Sequence, residues 1–188
     1  MLLLPVQKIN NKRQGMDVSK IKRAIRDIPD FPKPGIVFKD ITPVLNDPAV
    51  FKMVIDLFTE RLLPKKITKI AAIDARGFIF GGAVADRLNI GFVPIRKKGK
   101  LPYKTFDASY DLEYGSSTIS VHQDAFKRDE RVAIIDDLLA TGGTAAAAVG
   151  LIEKAGGKVV DILFLIELSF LHGREKLKGY DVFAPIIF

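Results

Sequence analysis

Cysteine and tryptophan are both absent from the 188 residues. Without cysteine there is no disulfide framework, no thiolate metal site and no cysteine nucleophile. Histidine is scarce, with His122 and His172 the two copies, and both read as structural or surface residues. Long apolar runs are missing as well. None approaches the ~20 residues that a bilayer span requires. The opening MLLLPV is too short for a signal-peptide core and has no basic segment ahead of it. The expectation is a cytoplasmic chain that does not engage a membrane.

The chain carries a net charge of +7, with 29 basic and 22 acidic residues. Residues 1–26 hold seven of the bases (Lys8, Lys12, Arg13, Lys20, Lys22, Arg23, Arg26) against the single acid Asp17. The remainder is close to neutral and has no basic stripe. A basic terminal arm can bind nucleic acid, but confinement of the charge to one end favours a solvated tail and no nucleic-acid partner. Residues 1–16 are therefore expected to be a basic extension and residues 17–188 the functional domain. Met16, just before the helical pattern DVSKIKRAIRDI, is a candidate natural start, which an intact-mass measurement checks. A hydrophobic content of 48% and this length suit one globular domain, on a prior of about 150 residues per domain.

Further along, PDFPKPGIVFKDITPVL is rich in proline and reads as an irregular path. Asn46 or Asp47 is placed to cap a helix over DPAVFKMVIDLFTERLL, with Val50, Val54, Leu57 and Phe58 as its apolar stripe. KIAAIDA reads as a strand running into Arg76-Gly77, FIFGGAVADRL as a helix and GFVPI as a strand. The stretch RKKGKLPYKTFDA, Arg96 to Ala108, reads as a long mobile loop. SYDLEYG and STISVHQDAF suggest a hairpin around Gly115. RVAII is a strand, TAAAAVGLIEKAGG a helix and KVVDILFLIEL a strand. The tail REKLKGYDVFAPIIF adds a short helix and a final strand. Strands alternating with helices predict a single α/β domain with a mainly parallel, twisted sheet flanked by helices.

The most informative stretch is VAIIDDLLATGGT, residues 132–144. A buried-type strand carries Asp136 and Asp137 to the edge of a glycine turn, and a helix follows at once. In open α/β sheets ligands sit beyond the carboxyl ends of strands. The strand is expected to stop at the acids, so that both address one ligand. Gly142 and Gly143 allow a turn with φ > 0, and the unpaired N–H groups of the next helix suit a phosphate, with Thr141 and Thr144 adding hydroxyls. The turn wants an anion while the acids want donors, and a sugar phosphate meets both demands. The pattern is neither a Walker A loop, since no Lys follows the glycines, nor GxGxxG. A helix cap beside two solvent-facing acids is the bland alternative.

The same stretch resembles the phosphoribosyl-pyrophosphate (PRPP) signature of type I phosphoribosyltransferases. PDFPKPGIVFKDITPVL, DARGFIFG, IRKKGKLP, YDLEYG and IELSFLHGREKL resemble, in order and spacing, the adenine phosphoribosyltransferase family within it. That resemblance runs from about Ile25 to the C-terminus. It implies the type I fold with a mobile catalytic loop and an N-terminal base-binding segment. The implied reaction is adenine plus PRPP giving AMP and pyrophosphate, with Mg²⁺ carried by the pyrophosphate and no metal ligand supplied directly by the protein. By the same resemblance, Asp136 and Asp137 hold the ribose hydroxyls, and Ala140, Thr141, Gly142, Gly143 and Thr144 hold the 5′-phosphate. Arg76 clamps the pyrophosphate, while Arg96, Lys97 and Lys100 lie on the closing loop. Glu113 handles the adenine proton as N9 attacks, and Tyr114 shapes the lid. Adenine lies against Phe38 and the backbone of Val37 and Lys39; Lys39 stands where many members carry Arg, so only its backbone is assigned. A homodimer is implied.

Three rivals remain at this level. One is a transferase for a 6-oxopurine, another a PRPP sensor without turnover, and the third a plain nucleotide-binding module.

Overall fold

The computed structural model describes residues 18–111 and 116–188. The chain opens with helix α1 (Val18–Ala24), followed by strand β1 (Arg26–Ile28), strand β2 (Phe38–Asp40), and helices α2 (Thr42–Asn46) and α3 (Pro48–Leu62). Then come β3 (Lys69–Ile73), α4 (Arg76–Leu88), β4 (Gly91–Lys97), β5 (Thr105–Asp111) and β6 (Ser116–His122). The second half contains β7 (Glu130–Leu139), α5 (Gly143–Lys154), β8 (Gly157–Glu167), β9 (Val182–Phe183) and β10 (Ile186–Ile187).

The main sheet has the order β10-β8-β7-β3-β4-β6-β5, with β9 also lying along β8. Pairing is parallel from β10 to β4 and antiparallel from β4 through β6 to β5. The central strands are covered on both faces, which is why KIAAI, VAII and ILFLI read as unbroken apolar runs. Alternation sorts their side chains between two cores. Ile70, Ala72, Ala133, Ile135, Leu163 and Leu165 join Phe58 of α3 and Phe80 of α4. Ala71, Ile73, Val132, Ile134, Ile162 and Phe164 join Leu151 and Ile152 of α5. The α3 cap is Asp47, whose carboxylate accepts from Ala49 N at 2.8 Å and Val50 N at 3.1 Å, with Pro48 first in the helix.

The structure corrects several sequence expectations. The helix expected over DVSKIKRAIRDI stops at Ala24, because Arg26–Ile28 pairs antiparallel with Phe38–Asp40 and Arg26 meets Asp40 at 2.6 Å. Thr42–Asn46 is helical within the proline-rich path. The long loop from Arg96 to Ala108 shrinks to residues 98–104. Arg96 and Lys97 extend β4 by pairing with Ser120 and Ile119 of β6, and β5 already begins at Thr105. β5 and β6 pair antiparallel from Thr105↔His122 to Asp111↔Ser116, so the pairing starts ahead of the expected Ser109 and stops before QDAF. The turn between them, including Gly115, lies outside the described residues. The tail contributes a short 3₁₀ turn, Gly173–Leu177, and two short strands in place of one.

The most consequential correction concerns the acids. β7 does not stop at Asp136 but runs on to Leu139. Its pairing with β3 ends at Ala72↔Ile135, whereas its pairing with β8 continues through Asp136↔Phe164 to Leu139↔Glu167. The strand is thus released on one side only, and both acids fall at the mouth of the gap that opens toward β3.

Candidate functional site

From β3 the chain proceeds to β4 on one side, while β7 lies on the other. The gap between the ends of β3 and β7 is therefore the switch point of the sheet, where ligands of open α/β folds bind. β3 ends at Ile73 and is followed by Asp74, with a cis peptide bond between Asp74 and Ala75. α4 then starts at Arg76. This brings Arg76 against β7, where its Nε donates to Oδ2 of Asp137. Asp137 is buried, at 6% exposure.

Asp136 has different surroundings. Its Oδ1 accepts the Asp137 N–H at 2.9 Å, and it lines a small opening together with Ala140, Thr141, Gly142, Thr144 and Phe164. Burial, and then the negative charge of Asp137, push the Asp136 carboxyl well above its ordinary value; Arg76 offsets this only in part. The two adjacent acids thus have different roles in the fold. Asp136 faces the cavity, and Asp137 is held by an arginine.

The cavity ends on the turn into α5. Gly142 takes φ +76°, and α5 begins at Gly143 without a side-chain cap. The first hydrogen bond of the helix runs from Ala146 N to Gly142 O at 3.0 Å. The N–H groups of Gly143, Thr144 and Ala145 consequently have no partner within the helix. Together with the positive end of the helix dipole they make a site for an anion. The expected loop residues 140–144 are brought together here.

The segment from Phe31 to Lys39 approaches from the other side. Phe38 of β2 packs edge-on to Phe31, with ring centroids 5.3 Å apart, and the Arg76 guanidinium lies 5.6 Å from the Phe38 ring. Arg76 therefore links the aromatic segment to the acids. Val37 is exposed at 47%. The Lys39 ammonium is engaged elsewhere, with Asp27 Oδ1 at 2.7 Å and the Phe188 ring at 4.0 Å. That leaves the backbone as its contribution to the segment.

Arg96 belongs to β4 and donates to Asp74 Oδ2 at 2.9 Å and to the Lys100 carbonyl at 3.1 Å. Lys97 and Lys100 are exposed around the adjoining turn. Asp74 was not singled out from the sequence, although a signal was present: IAAID and VAIID both carry an apolar run into Ile-Asp. Glu113 and Tyr114 lie outside the described residues. Among the described residues there is no group of three or more His, Asp or Glu side chains arranged to hold a metal ion.

Comparison with known proteins gives a consistent result. Residues 41–185 match the model of the phosphoribosyl transferase domain. The adenine phosphoribosyltransferase of Maridesulfovibrio salexigens is 60% identical over 162 residues, spanning 86% of this chain and 95% of the relative. The crystal structure of the enzyme of that name from Thermoanaerobacter pseudethanolicus superposes with a TM-score of 0.88 at 53% identity, covering 91% of this chain and 99% of that one. The Saccharomyces cerevisiae adenine phosphoribosyltransferase, solved with an imino-altritol bisphosphate and adenine, has a TM-score of 0.87 at 40% identity, covering 90% and 98%. This chain belongs to the phosphoribosyl transferase domain family, among the adenine phosphoribosyltransferases.

Proposed function

We propose that this chain transfers the 5-phosphoribosyl group of PRPP to N9 of adenine, releasing AMP and pyrophosphate. The observation that carries the site assignment is the one-sided release of β7. It sets two acids, an arginine and an uncapped helix start around one crevice. In the reaction the C1′–O bond to pyrophosphate breaks as the N9–C1′ bond forms, and the N9 proton leaves adenine. Positive charge develops on the ribose and negative charge on the leaving group, so catalysis rests mainly on electrostatic complementarity.

In this reading the 5′-phosphate occupies the turn at residues 140–144, and Asp136 and Asp137 hold the ribose hydroxyls. Charged hydrogen bonds of this type contribute about 1.5–3 kcal/mol each. Arg76 exchanges Asp137 for the pyrophosphate, which frees Asp137 for the ribose. Adenine stacks on Phe38 beside Val37 and Lys39. Glu113 takes the N9 proton of adenine as N9 attacks, and Tyr114 shapes the lid. Arg96, Lys97 and Lys100 contribute positive charge near the leaving group and help exclude water. Mg²⁺ accompanies PRPP and neutralises pyrophosphate charge. A hard ion of this kind keeps its waters and takes substrate oxygens, so it would be held with the pyrophosphate and not by a dedicated set of protein ligands. Homodimeric assembly and a cytoplasmic location belong to the same proposal, and sedimentation checks the former.

The test is incubation with PRPP, Mg²⁺ and each purine base, following nucleotide formation. AMP from adenine alone is the expected outcome. Product from hypoxanthine or xanthine in its place overturns the base assignment, and PRPP binding without product from any base points to a sensor. Asp137→Asn is expected to raise KM for PRPP. Glu113→Gln should lower kcat by about 10²–10⁴-fold; unaltered kinetics in both variants would overturn the site assignment.

A further inference from the structure

The segment after β8 has no part in the proposed chemistry, yet its backbone lies directly on the phosphate turn. A methyl group built on Gly173 would stand 2.1 Å from the Ala140 carbonyl oxygen and 2.9 Å from the Gly142 nitrogen. Conversely, one built on Gly142 would stand 2.2 Å from the Gly173 carbonyl oxygen. The two glycines are therefore pressed face to face, at a distance that no other residue permits.

The neighbouring residues hold Gly173 in that position. Leu168 N donates to Leu139 O at 2.9 Å, joining the ends of β7 and β8 just before the turn. Glu167, the last residue of β8 and 7% exposed, accepts from Arg174 through both carboxylate oxygens; the Nε contact is 3.1 Å. The third arm of the guanidinium, Nη1, donates to the Val182 carbonyl at 2.9 Å. A two-pronged arginine–carboxylate pair fixes orientation as well as distance. Arg174 is thus tied to β8 and to β9, with Gly173 one residue ahead of it against the turn.

We propose that Arg174, locked to Glu167, is a positioning residue for substrate: it holds the Gly173 backbone against Ala140 and Gly142 and so sets the shape of the 5′-phosphate site. The inference rests on the reading of residues 140–144 as that site. The guanidinium touches no substrate itself. Its effect is confined to the phosphate end, so it acts on PRPP and AMP but not on adenine or free pyrophosphate.

Steady-state kinetics of Arg174→Gln, Arg174→Lys, Gly173→Ala and Thr144→Val test this, with AMP and pyrophosphate as inhibitors. Arg174→Gln should raise KM for PRPP and Ki for AMP roughly tenfold or more, the scale of a charged hydrogen bond. kcat, KM for adenine and Ki for pyrophosphate should stay put. Arg174→Lys, which keeps the charge but not the fork, should recover only part of the loss, and Gly173→Ala should reproduce it with the charges intact. Thr144→Val probes the turn directly. If Thr144→Val weakens PRPP and AMP while Arg174→Gln and Gly173→Ala do not, the positioning role falls and the phosphate site stands. If Thr144→Val leaves both ligands unaffected, the reading of the turn falls and takes this inference with it. A lower kcat at constant KM in the Arg174 and Gly173 variants signals lost folded enzyme and overturns the proposal as well.

Discussion

Asp136 is the residue whose chemistry departs furthest from its type. Folding buries it beside Asp137, and both effects favour its neutral form. A carboxyl whose proton affinity rises on folding stabilises the protein fully below the ordinary value of 3.8, and that contribution is lost as pH rises through the elevated value. Asp136→Asn mimics the protonated form. It should therefore raise the thermal midpoint of the ligand-free protein at pH 7 to 8, with the gain vanishing toward pH 4, while PRPP binding weakens. Equal midpoints for variant and parent across this range would contradict the assignment. The acids were legible in the sequence because their neighbours in the chain declare them: a buried strand before, a glycine turn after. Their unequal surroundings were not legible, since Arg76 lies 61 residues away.

Two elements carry checks of their own. Asp47 is the α3 cap, and Asp47→Ala should cost about 1 kcal/mol in denaturant unfolding. The β1–β2 pair is held by Asp40, which accepts from the hydroxyl and the N–H of Thr42 and from Arg26. Thr42 chiefly, then Arg26, lowers the Asp40 pKa to about 2. That contribution is present above 3.8 and is lost as pH falls through about 2. Asp40→Asn should be less stable than the parent at pH 7, and the gap should close on acidification from pH 4 to pH 2. The cap could be read locally because Asp-Pro ahead of an apolar period is a helix start. The pairing could not, because Arg26–Ile28 continues a helical pattern and becomes a strand only when Phe38–Asp40 returns beside it.

At the scale of the whole molecule, ligand and fold are linked. A nucleotide that binds only the folded protein should stabilise it, by about 2.7 kcal/mol at a hundred times its Kd. AMP is expected to raise the thermal midpoint accordingly, and adenosine, which lacks the phosphate, to do so far less. A chain trimmed of residues 1–16 should keep its kcat and KM if that extension is dispensable; loss of activity would redraw the domain boundary. The sequence alone determined the strand interiors, the glycine turn ahead of α5 and the family resemblance, because each is written in residues adjacent along the chain. Only the tertiary structure decided which strands are neighbours, where β7 parts from β3, that Asp74 receives Arg96, and that Gly173 lies on Gly142. Those depend on backbones meeting across many residues, and such contacts are set by how whole elements pack.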